Sequence, residues 1–213
     1  MKVKIFYTRF NSGEETVILN QWLSFLPIAL QNINHQFINK EDKVRNLLGK
    51  LLLIEALKKS NHQSISLENM KFNNYLKPYL CNNLDFSISH SANYVFCAIG
   101  ENIKLGIDIE EIKSVDFNDF ENVMSQSEWF KINTSPNPFQ KFFDFWTLKE
   151  SLIKAEGKGF FADVNKIIIT KNNIIYENNT WFYQKLYIDK NYSGHLVTNH
   201  FDTTIEMIFT RFI

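Results

Sequence analysis

Asp108 and Glu110 stand two residues apart in Leu105-Gly106-Ile107-Asp108-Ile109-Glu110, a run whose alternation predicts a β-strand. Alternate side chains of a strand share a face, so both carboxylates aim at one point while Ile107 and Ile109 enter a core. Carboxylates aimed at one point repel unless a cation lies between them. Ligands that are all oxygen favour magnesium, manganese or calcium. Taken alone, the pair is more simply a solvated strand end.

The stretch from Phe145 to Gly159 adds to it. At helical spacing Phe145, Leu148, Leu152 and Ala155 form an apolar stripe, and Glu150 and Lys154, four apart, point nearly opposite. Trp146, Lys149 and Ile153 lie on the flank between. An amphipathic surface helix with a Glu–Lys pair is the plain reading, but a face carrying Phe142, Trp146 and Ile153 needs cover from a second packed half or a ligand. Phosphate chemistry would use these groups. Glu150 can complete a three-carboxylate metal site with Asp108 and Glu110, and such a metal neutralises a pyrophosphate and polarises the phosphorus under attack. Lys154 or Lys149 can hold a phosphate oxygen as a point charge, and a carboxylate near the attacking hydroxyl can take its proton.

The elements that must position these side chains follow from periodicity. Helices are expected over 20–30, disturbed by Pro27, then over 40–59, 116–131 and 139–156, the last ended by Gly157 and Gly159. Strands are expected at 3–10, 85–88, 94–100 and 105–110, with polar Ser89-His90-Ser91 between the second and third. Short strands follow at 166–170, 173–176, 181–188, 195–198 and 204–209. Residues 73–78 read as a turn. Each half holds a major helix and several strands, which predicts an α+β fold of two similar halves packed together.

Composition bounds the function. The 213 residues carry 23 basic and 23 acidic side chains, a neutral balance that argues against a protein coating nucleic acid. Cys81 and Cys97 form no C-x-x-C pair and read as buried thiols. The N-terminus lacks the apolar block of a signal peptide, and the longest uncharged stretch, 17–39, is too polar to span a membrane. A soluble cytoplasmic protein is expected.

Gly106-Ile107-Asp108-Ile109-Glu110 and Trp146-Thr147-Leu148-Lys149-Glu150-Ser151-Leu152-Ile153-Lys154 together resemble the signature of the 4′-phosphopantetheinyl transferases, in the larger, monomeric surfactin-synthetase-activating type. That signature couples a G-[IV]-D-[IV]-E strand to a later W-x-x-K-E-[SA]-x-x-K helix. Phe86-Ser87-Ile88-Ser89-His90-Ser91 is similar to the family segment whose Ser and His contact coenzyme A phosphates. Lys77-Pro78 is similar to the turn beside the adenine, and Arg45 falls where the family places an arginine on the nucleotide phosphates.

The resemblance implies two pseudo-symmetric α/β halves, 1–103 and 104–213, with a cleft between them for coenzyme A and magnesium. It implies Asp108, Glu110 and Glu150 as metal ligands, and Glu150, Lys154 and Asp108 as catalytic residues. Arg45, Lys77, Pro78, Ser89, His90, Lys149 and Lys154 are implied on the coenzyme. The implied reaction moves phosphopantetheine from coenzyme A to a serine of an apo acyl carrier or peptidyl carrier protein, catalysed by a monomer, with no nucleic acid and no membrane as partner. Glu128 is a further candidate for the site, and 116–140 for carrier contact. Leu76 stands where the family has glycine, and a bulky residue resists φ > 0, so a differently shaped adenine loop is expected. Basic residues that some relatives carry near positions 29 and 32 are not evident, which predicts a weaker hold on the 3′-phosphate. Two other readings compete: a module binding coenzyme A or a carrier without turnover, and a metal-dependent nuclease. The absence of a basic or stacking array beside the Glu–Lys helix argues against the nuclease.

Overall fold

The computed structural model describes residues 1–81 and 83–212. Strand β1 (Lys2–Arg9) buries Val3 and Ile5 on one face and Phe6 on the other, as a strand inside a layered core must. Residues 20–30 do not form one helix. Pro27 fixes its own φ and stands immediately before α2 (Ile28–His35), so the chain makes α1 (Glu15–Trp22), a short 3₁₀ turn at Leu23–Phe25, and then α2. Helix α3 (Lys40–Lys59) follows with the expected bounds. Short strands β2 (Lys71–Phe72) and β3 (Pro78–Tyr79) flank the expected turn.

Strands β4 (Leu84–Ser91) and β5 (Tyr94–Glu101) form a hairpin that runs through Ser89, His90 and Ser91, which polarity alone had set between strands. After β6 (Leu105–Glu111) the chain makes a 3₁₀ turn at Phe117–Phe120 and the short helix α4 (Gln126–Asn133), not one helix over 116–131. Helix α5 (Pro138–Glu156) begins at a proline with Asn137 capping it. It ends at Gly157, whose φ of 77° suits glycine. The remaining strands are β7 (Ile168–Ile169), β8 (Ile174–Tyr176), β9 (Asn179–Lys185), β10 (Tyr192–Thr198) and β11 (Thr204–Phe209).

One sheet has the order β11-β1-β5-β4 and the other β6-β10-β9-β8-β7. Only the β1–β11 pair among these is parallel. Leu47, Leu48, Leu51 and Leu52 of α3 pack on Phe6, Val95, Cys97 and Ile99 of the first sheet. That sheet's opposite face, with Val3, Ile5, Phe96 and Ala98, meets Ile107, Ile109 and Leu196 of the second. The outer face of the second sheet, including Trp181 and Val197, is covered by Leu148, Leu152 and Ala155 of α5. The fold is thus α+β, layered helix–sheet–sheet–helix. Among the described residues no helix is long and apolar enough to cross a membrane.

Candidate active site

Strands β4 and β6 do not share a backbone ladder; side chains of β4 replace it. The Leu105 N–H donates to Asp85 Oδ2 at 2.9 Å, Ile107 N–H to Ser87 Oγ at 3.1 Å, Ile109 N–H to Ser89 Oγ at 3.2 Å and Glu111 N–H to Ser91 Oγ at 2.9 Å. Two of these hydroxyls pass their own protons on. Ser89 Oγ donates to Asp108 Oδ1 at 2.8 Å and Ser91 Oγ to Glu110 Oε2 at 2.7 Å, so the seam between the sheets also orients the two carboxylates. The period-two spacing Asp85-x-Ser87-x-Ser89-x-Ser91 is the sequence signal for it.

Above this seam lies α5. Gly106 lets it come close, since a Cβ there would fall 2.0 Å from the Ser151 carbonyl oxygen and 2.4 Å from Ala155 N. From that position Lys154 Nζ donates to Asp108 Oδ1 at 2.6 Å and to Ser89 Oγ at 3.1 Å. Asp108 is buried, and its other oxygen, Oδ2, has no hydrogen-bond partner among the described residues. Burial first, and the charge of Asp108 second, push the carboxyls of both Glu110 and Glu150 above the ordinary value; Lys154 opposes this. Glu110 and Glu150 therefore both lie in the field of Asp108.

Among the described residues no three His, Cys, Asp or Glu side chains stand as a finished metal cage. The donor set nevertheless suits a hard divalent cation: oxygen atoms only, one buried and unpartnered, with two neighbouring carboxyls raised by burial and by the charge of Asp108.

A cavity of about 450 Å³ opens beside Glu150 and Lys154 and reaches Lys77, Pro78 and Gly157. Asn73 organises its far wall. The Asn73 Oδ1 accepts from Tyr75 N and Lys77 N, and its amide donates to the Gly157 carbonyl at 3.0 Å, tying the turn to the end of α5. Lys77 Nζ is engaged with Asp85 at 2.8 Å. Leu76 takes φ 67° in spite of its side chain, a left-handed backbone conformation more usual for glycine, and it is mostly exposed.

Ser89 and His90 are neighbours on β4 and so point to opposite faces. His90 feels the charges of Lys154, Arg45 and Asp42, and partial burial followed by the two cations holds its imidazole below the ordinary value. Arg45 is half-buried, donating from Nε to the Ala92 carbonyl at 2.9 Å and from Nη1 to Asp42 at 2.6 Å.

Lys149 is not brought to the cleft. Its ammonium is buried against Glu128 at 2.8 Å and the Val123 carbonyl at 2.7 Å, because its flank of α5 faces α4 and the chain before it. A phosphate contact for Lys149 is therefore corrected to an internal ion pair. Glu128, neither solvated nor facing the acids, also closes a capping box with Ser125. That Ser-x-x-Glu spacing was the signal that would have set the start of α4. Behind α5, Asp144 accepts from Lys185 at 2.8 Å and Ser193 at 2.7 Å, and Thr147 Oγ1 meets His195 Nδ1 at 2.8 Å. This network and Lys50, which lines the cavity, were not singled out by sequence.

The sequence model of the 4′-phosphopantetheinyl transferase superfamily matches residues 104–205. The 4′-phosphopantetheinyl transferase Sfp of Bacillus subtilis (strain 168) is 31% identical over 161 residues, 73% of this chain and 69% of that protein. The chain belongs to the 4′-phosphopantetheinyl transferase superfamily. A second B. subtilis family member, ffp, matches to the same identity and extent. The family member gsp of Aneurinibacillus migulanus is 38% identical over 155 residues, 68% of this chain but only 62% of its own length. The superfamily match takes in Asp108, Glu110, Glu150 and Lys154, whereas Arg45, Lys77, Pro78, Ser89 and His90 precede it.

Proposed function

We propose that this chain transfers the 4′-phosphopantetheine arm of coenzyme A to a serine hydroxyl of an apo acyl carrier or peptidyl carrier protein. The observation that carries this reading is the meeting of Asp108, Ser89 and Lys154 beside a cavity that also holds Glu150, in a member of this superfamily.

The serine oxygen attacks the phosphorus that bears pantetheine. The bond from that phosphorus to the bridging oxygen breaks, and adenosine 3′,5′-bisphosphate leaves with the electron pair. Glu150 takes the serine proton, directly or through a water; a carboxyl raised by burial is a better base for this than an ordinary one. Lys154 steadies the phosphate oxygens as charge builds there. Asp108, Glu110 and Glu150 would hold a magnesium ion, which when bound neutralises the pyrophosphate and polarises its phosphorus. Lys77 and Pro78 flank the adenine, and Arg45, Ser89 and His90 serve the nucleotide phosphates. Lys149 has no part in this reading beyond fixing α5.

The same reading takes the chain as two pseudo-symmetric halves, 1–103 and 104–213, with the coenzyme in the cleft between. The matching orders β1-β5-β4 and β6-β10-β9 support it, each sheet backed by one long helix. Strand β11 is then lent by the second half to the first. The carrier docks on 116–140, where Phe130 is 70% exposed, and the enzyme acts as a cytoplasmic monomer without nucleic acid or membrane. Intact-mass analysis of apo carriers with coenzyme A and magnesium tests the reaction. A gain of one phosphopantetheine, lost with Glu150→Gln or chelator, is expected; no gain on any carrier refutes it.

A further inference from the structure

Three lysines line the cavity: Lys50, Lys77 and Lys154. Two have acidic partners, Lys77 with Asp85 at 2.8 Å and Lys154 with Asp108 at 2.6 Å. Lys50, on α3 one residue beyond Gly49, has neither a carboxylate within ion-pair distance nor a hydrogen-bonded neighbour among the described residues. Its stem is half-buried, and burial lowers its ammonium below the usual lysine value, with only the thiol of Cys97 opposing. A cation so desolvated gains most from an anion that enters the cavity.

We infer that Lys50 is a phosphate-binding residue of the coenzyme cleft, taking a phosphate of the nucleotide end of coenzyme A. This rests on the coenzyme reading above and adds a residue on α3, across the cavity from α5. The contact is a point charge at the end of a flexible stem, which draws the anion in and holds it. Lys50 therefore governs affinity for coenzyme A. Two phosphate sources fit, the 3′-phosphate and the pyrophosphate, and only the first is missing from dephospho-coenzyme A.

Calorimetric titration of the full chain with coenzyme A, in magnesium and again in chelator, tests this on wild type, Lys50→Met, Lys50→Arg and a surface control, Lys58→Met. Loss of one charge-assisted contact predicts Kd for coenzyme A raised about tenfold in Lys50→Met. Lys50→Arg and Lys58→Met are expected to stay near wild type. If Lys50→Met leaves binding of dephospho-coenzyme A unaltered, the 3′-phosphate is the partner; if it weakens both ligands equally, the pyrophosphate is. An unchanged Kd for coenzyme A in Lys50→Met overturns the inference while leaving the coenzyme reading intact, and so does equal weakening by Met and Arg. Failure of wild type to bind coenzyme A overturns that reading and the role of Lys50 with it.

Discussion

Gly106→Ala is the most direct probe of how the fold makes the site. The glycine has no special φ; its value is room. An alanine Cβ would lie 2.0 Å from the Ser151 carbonyl oxygen and 2.4 Å from Ala155 N, where ordinary contact begins at 3.4 Å, so α5 must withdraw by about 1.4 Å. Both clashing atoms are backbone, and no rotamer change relieves them. Overpacking of this kind costs about 2–3 kcal/mol, which for a chain of this size lowers Tm by about 4–12 °C. The withdrawal also stretches the 2.6 Å contact of Lys154 with Asp108 and moves Glu150 away from the other acids. Displacement by about 1 Å at a reacting centre costs on the order of a hundredfold in rate. Gly194→Ala, on the neighbouring strand β10, is the milder comparison: its nearest contacts are the Asp108 carbonyl oxygen at 3.2 Å and the Ile188 side chain at 3.4 Å, which ask for shifts of a few tenths of an ångström only. Thermal melts and single-turnover transfer followed by intact mass measure both effects. If Gly106→Ala melts with the wild type and transfers at its rate, close approach of α5 to β6 is not what assembles the site.

Two further outcomes follow from buried charge. Lys149→Met leaves Glu128 uncompensated at 5% side-chain exposure and should cost about 3–5 kcal/mol in urea unfolding, whereas adding Glu128→Leu should recover most of it; equal losses in single and double variants would sink this account. Burial first holds His195 at about 4 against an ordinary 6.5, in spite of the nearby Asp144. The unfolded chain thus takes the proton first. Stability is full above pH 6.5 and falls as the pH drops toward 4, by about 3 kcal/mol in all. In His195→Asn that acid limb should flatten, and an unchanged slope of denaturation midpoint against pH would assign the limb to other groups.

The elements that carry the reacting groups were legible because their patterns are strong. Helices α3 and α5 repeat apolar residues at helical spacing, and β6 alternates around Asp108 and Glu110. What escaped was polar structure with a partner distant in sequence. Ser89-His90-Ser91 reads as a break between strands, since nothing nearby says that its hydroxyls will meet the N–H groups of β6. Lys149 reads as a cation for a phosphate oxygen until Glu128, from α4, is folded against it. Leu76 is the reverse case. Its side chain argues against a left-handed turn, and the hydrogen bonds of Asn73 impose the turn regardless.

Strand β11 pairs with β1 from Lys2 opposite Thr204 to Tyr7 opposite Phe209, partners about two hundred positions apart, and the Thr204 N–H reaches back to the Met1 carbonyl at 2.8 Å. On the ribosome, the strand that ends up inside the first sheet emerges early, and the strand that covers its flank emerges late. For most of synthesis β1 presents a row of open donors and acceptors to whatever strand it meets. The sheet β11-β1-β5-β4 therefore cannot be completed until residues 204–209 are made, and its closure carries the slow kinetics of a very long loop. The nascent chain is most exposed to mispairing in that interval.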